Sequence, residues 1–133
     1  SITPELMRKF EQNVSPHMAA EKAATDSTDR RAIVRELSSF HRLLGRISGN
    51  RVLADILDNL MVRSSLIVAL YQRNDEPTCQ HDEHRTILEA LKSGENDQAV
   101  ALMSHHLHHL ESELALDGSD EHDIDLRSVL AEI

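Results

Sequence analysis

Apolar residues recur at helical spacing along nearly the whole chain. Leu6, Phe10, Val14 and Met18 fall four apart and draw a stripe that runs to about Ala24. Thr3 stands before it as an N-cap, with Pro4 at the first helical position, where a missing N–H costs nothing. Pro16 lies inside the stripe and predicts a kink. Asp26-Ser27-Thr28-Asp29 opens a second helix, whose Ile33, Leu37, Phe40, Leu44 and Ile47 alternate four and three apart and stop before Gly49. A third helix, capped by Asn50, predicts a buried stripe of Leu53, Ile56, Leu57, Leu60, Ile67 and Leu70, and Asn74-Asp75-Glu76-Pro77 ends it. A fourth, from about Thr78 to Ser93, carries Ile87, Leu88 and Leu91 and stops at Gly94, suited to a left-handed cap. The fifth begins near Asn96 and runs through Ala99, Met103, Leu107, Leu110 and Leu114 to Gly118. An acidic loop follows, then a short amphipathic piece with Leu126, Val129, Leu130 and Ile133. With no strand pattern or internal repeat, the expected fold is an all-α helical bundle of about six helices, one domain over residues 1–133.

Composition sharpens this. Apolar residues are 40% of 133, enough for a core, but only three are aromatic (Phe10, Phe40, Tyr71), so the core must be aliphatic. The net charge of −9, with Lys and Arg thinly spread, excludes a free-standing nucleic-acid-binding surface. A single cysteine, Cys79, cannot form an intrachain disulfide, and it has no basic neighbour to activate it as a nucleophile. No apolar run approaches the roughly 18 residues of a membrane span, and the first residues do not read as a signal peptide. A cytoplasmic protein is the expectation, and a start at Ser1 reads as a processed or excised piece.

Nine histidines are the chemical anomaly. His41 shares a face with Leu37 and Leu44, and His84 shares one with Leu88 and Leu91. At about 100° per residue, His106 borders the stripe of Ala99, Met103, Leu110 and Leu114, whereas His105, His108 and His109 turn progressively away. Three helices thus each present one inward imidazole, a common ligand arrangement for zinc and other borderline metals. The competing reading is three core-edge histidines bonded to backbone carbonyls, and spacing alone leaves both open. Arg63 falls at the edge of the third stripe, where a guanidinium needs a structural carboxylate or that of a bound ligand. Tyr71, eight residues on, could cap the same cavity or simply pack. There is no glycine-rich phosphate loop and no Ser/His/Asp arrangement.

Phe40-His41, Ser48-Gly49-Asn50, Glu83-His84 with Ile87, Ala90 and Leu91, and Met103 with His106-Leu107 occur in one order and spacing. This resembles the C-terminal effector domain (FCD domain) of GntR-family transcription regulators, FadR subfamily, over roughly residues 5 to 116. The resemblance implies an antiparallel helical bundle that binds a small organic acid, forms a homodimer and holds a divalent metal through an Asp and three His. By motif those histidines are His41, His84 and His106. Zinc is the first expectation, with nickel and manganese as alternatives. The family's Asp lies four residues before the first histidine; here that position is Leu37, and Glu36 is about 100° away on the helix. The stretch from Ala24 to Phe40 is also shorter than in typical relatives. Metal could therefore be held with more water, or be lost.

The resulting expectation is a regulator's sensor, with a carboxylate effector at an open metal position and Arg63 as counter-charge. Operator DNA would be read only by a winged-helix domain upstream of this chain, and no membrane partner is expected. A metal-dependent hydrolase or lyase using the same histidines would need a base; Asp82 and Glu83 flank His84 on outward-turning positions. A metal-free helical interaction module is the third reading.

Overall fold

The computed structural model describes residues 3–71 and 77–114, together with 127 and 131; the side chains of 69–71 and 77–79 lie outside that description. Among the described residues five helices follow one another: α1 (Pro4–Thr25), α2 (Arg30–Ile47), α3 (Arg51–Tyr71), α4 (Pro77–Lys92) and α5 (Asn96–Ser112). α5 stops at Ser112, with Glu113 as its C-cap, short of the expected Gly118 and before Leu114. The acidic loop falls outside the described residues, as does the expected short C-terminal helix apart from residues 127 and 131, which are helical.

The helix ends follow their local chemistry. The Thr3 hydroxyl accepts from the Leu6 N–H at 3.2 Å, and the Asp29 carboxylate accepts from Arg31 and Ala32. The Asn50 side chain accepts from Leu53 at 3.1 Å. Gly94, at φ +74°, closes α4: its N–H bonds the Leu91 carbonyl while Glu95 reaches back to Ala90. α1 is one continuous helix through Pro16, whose exposed position leaves the carbonyl it frees open to water.

α2 lies at the centre, against α1, α3 and α4, and α4 in turn packs on α1 and α5. Phe40, Ile87 and Leu88 are the heart of the core, with Phe10, Val14, Met18, Leu44, Leu91, Leu102 and Met103 packed around them. One expectation fails here. Most of the expected α3 stripe is exposed (Leu53 40%, Ile56 52%, Leu60 48% and Ile67 42%); Leu57 alone of its described members turns to α2, and the Leu70 side chain lies outside the described residues. α3 rests on α2 alone among the described helices, through the face of Ala54, Leu57, Met61 and Ser65. Gly45 decides that face, because a Cβ there would come within 3.1 Å of both the Ala54 Cα and the Leu57 Cδ1. α3 therefore has two apolar stripes, and the close α2 crossing selected the one with the smaller residues. Leu107 departs in the same way, 50% exposed on a cavity wall.

Candidate metal centre and ligand cavity

His41 from α2, His84 from α4 and His106 from α5 converge, each offering a ring nitrogen within 4.8 Å of the others. Their rings are 4.6 to 5.6 Å apart between centroids. His84 and His106 are 1% and 0% exposed, and Phe40 stacks flat on His84. The aromatic ring next to His41 in sequence thus walls the centre on one side.

The hydrogen bonds fix what the nitrogens can do. His84 presents Nδ1 to both oxygens of Glu21, each at 3.0 Å. His106 presents Nδ1 to Glu83 Oε2 at 2.8 Å. An ionised carboxylate can only accept, so both rings carry their proton on Nδ1 and leave an Nε2 lone pair. Those two Nε2 atoms face each other at 3.0 Å in a buried space. Two facing lone pairs repel, and either one shared proton or a cation must lie between them. Burial, then the neighbouring His84, lowers the His106 imidazole below its ordinary value, which disfavours the proton. His41 is lowered further, to about 3, by burial and then by repulsion from His84 and His106. Neutral imidazoles with free lone pairs are the form a metal ligand needs. The residues present fit a divalent cation.

Both carboxylates have further partners. Glu21, fully buried on α1, also takes bonds from His17 Nε2 at 3.0 Å and His81 Nδ1 at 2.8 Å. Its burial alone would raise the carboxyl, but the bonds from His17, His84 and His81 outweigh that and hold it lowered to about 2. Glu83 also bonds His109, and that bond raises the His109 imidazole. Glu83 was expected to turn outward; it reaches across to α5 instead, because the α4–α5 contact brings His106 and His109 one helical turn apart in front of it. His105 and His108 stay exposed. Leu37, at the position where the resemblance implies an Asp, is buried, and Glu36 pairs with Arg35, so neither supplies a carboxylate to the centre.

A cavity of about 500 Å³ opens beside His41, between α2, α3 and α5. Its walls are mainly apolar (Ile33, Leu37, Met61, Val68, Leu110), with Ser38, Ser64, Ser65 and Gln80 as polar points, Arg30 as a cation and Glu111 as an anion. Arg63 is exposed and outside this lining, so the structure does not bring it to the three histidines. The Tyr71 side chain lies outside the described residues.

A family model, the FCD domain, matches residues 1–109. The chain belongs to the FCD family. FCD domains are the C-terminal domains of GntR-family regulators, regulatory effector-binding domains and not enzymes. Neither curated proteins nor solved structures give a match. Among the described residues of this FCD domain, no helix is long and apolar enough to cross a membrane.

Proposed function

We propose that this FCD domain is a FadR-type sensor that binds a small organic acid in the cavity beside a divalent metal held by His41, His84 and His106. The observation that supports it most is the pair of buried Nε2 lone pairs at 3.0 Å, with His41 completing the set and lining the cavity. A bound divalent cation would supply a positive, Lewis-acidic anchor for a carboxylate. The chain's own residues do the remainder. Arg30 places a second positive charge in the lining, the serines offer hydroxyls to polar substituents, and the apolar walls take the hydrocarbon part. Arg30 replaces Arg63 in this reading.

The regulator's output requires that the ligand favour one arrangement of a homodimer and of the attached DNA-reading domains over another. The hydrolase reading loses ground on geometry. Glu21 and Glu83 approach the rings from the Nδ1 side, behind the centre, where neither can take a proton from a water on its open face.

The test is metal content of the purified, untagged chain, with thermal unfolding before and after chelation. About one equivalent of metal per chain and a lower Tm after chelation support the reading. A chain without metal that ignores added zinc overturns it.

A further inference from the structure

We infer that Glu21 is a positioning residue of the three-histidine centre, holding His84 in the tautomer that aims Nε2 inward and, with Glu83, supplying the negative charge that the Leu37 position lacks. The inference rests on the metal reading above and deepens it.

The argument begins with cost. A carboxylate with no exposed surface is strongly unfavourable unless its lone pairs are all engaged. Glu21 meets this condition through imidazoles only: His17 one turn earlier on α1, and His81 and His84 one turn apart on α4. Each of those contacts could serve packing of α1 on α4. The contact to His84 does something more, because it fixes which nitrogen carries the proton. With Nδ1–H pointed at Glu21, the other nitrogen is a lone pair aimed at His106. A ring backed by a carboxylate is also a more basic ligand.

The same device is built twice. Glu21 from α1 backs His84 on α4, and Glu83 from α4 backs His106 on α5. His17 and His81 tie down the first carboxylate, and His109 the second. Charge completes the picture. Three neutral imidazoles bring no charge to a divalent cation, and Leu37 brings none either. Glu21 and Glu83 carry one negative charge each, which offsets the two positive charges from one layer further out. α1, which contributes no histidine to the trio, thereby becomes part of the centre.

The experiment titrates the metal-free chain with Zn²⁺ alone, by calorimetry against a competing chelator, at a temperature where every variant is folded. Glu21→Gln keeps the side-chain volume and removes the charge. It is expected to weaken zinc binding roughly 10- to 100-fold at unchanged stoichiometry. The ¹⁵N shifts of His84 in the metal-free chain should show Nδ1–H in the wild type and a mixture in Glu21→Gln. A merely structural Glu21 would lower Tm and leave both zinc affinity and the His84 tautomer untouched, which overturns the inference. Should Glu21→Gln not fold, the wild-type spectrum decides: a His84 protonated on Nε2 refutes the idea. His84→Ala separates the two levels. If it leaves zinc affinity unchanged, the metal reading and this inference fall together; if it removes binding while Glu21→Gln has no effect, this inference alone falls.

Discussion

The rings of Phe40 and His84 stack 3.8 Å apart and 9° from parallel, joining the most buried aromatic of α2 to an inward histidine of α4. The contact orients the imidazole plane, as Glu21 orients its rotation within that plane. Phe40→Ala should cost about 3–5 kcal/mol of stability. Phe40→Leu should cost less, because most of the volume is kept. Urea unfolding of the metal-free chain measures both, and a loss under 1 kcal/mol for the alanine variant would contradict the packing described.

Acid should destabilise the metal-free chain in two stages. His41 is neutral when folded, lowered to about 3, while an unfolded imidazole protonates near pH 6.5. Its contribution is complete above about pH 6.5 and is lost as pH falls toward 3. His106 acts in the same direction. Glu21, lowered to about 2 from 4.5, adds a contribution that is full above about pH 4.5 and lost below it. His109, raised by Glu83, opposes this by stabilising below pH 6.5 and fading as pH rises through its raised value. The urea midpoint should therefore begin to fall near pH 6.5, well before carboxylates titrate. His41→Asn should flatten that first decline.

Leu37→Asp tests the altered ligand set directly. It places a carboxylate one turn before His41, at a buried position on the cavity wall. Zinc affinity should rise by at least roughly tenfold, the low end of what a carboxylate behind a ligand contributes. The metal-free variant should melt lower than wild type, since the new charge is then buried without a partner.

Arg30 and Arg63 give opposite expectations for effector binding. Arg30→Ala removes a cation from the cavity and should weaken binding of an organic acid by roughly 1.5–3 kcal/mol, the range for a hydrogen bond to a charged group. Arg63→Ala, exposed and outside the lining, should change it less than about twofold. Calorimetric titration of both variants with the same acid decides between them.

Gly45→Ala should destabilise despite alanine's better helix propensity, since the neighbouring Ala54 Cα is backbone and cannot swing aside. A net loss of about 1–3 kcal/mol is the usual scale for overpacking. Urea unfolding compared with an exposed-site alanine control checks it.

Helix positions and caps were legible because each depends on neighbours in sequence: Thr3, Asp29, Asn50 and Gly94 all act where local pattern placed them. The convergence of His41, His84 and His106 was legible for the same reason, since each shares a face with an apolar stripe. What α3 buries was not. It carries two stripes, and only the α2 crossing at Gly45 chooses between them. Glu21 was missed because a carboxylate on a helix is ordinarily solvated, and nothing in the sequence links it to residues 60 and 63 positions away. The local signals were the pairs His17/Glu21, His81/His84 and His106/His109, at one-turn spacings that let a single carboxylate meet two imidazoles.

α3 supplies one wall of the cavity through Met61, Ser64, Ser65 and Val68, yet contributes none of the three histidines and, among the described helices, leans on α2 alone. Local opening of α3 is thus the least costly way to admit a ligand, and amide exchange should be faster there than in α2 or α4. Because the histidines sit on α2, α4 and α5, such breathing leaves their spacing intact. On the proposed reading, effector exchange and metal release should then be separate kinetic events, the first faster than the second, which requires the core itself to part.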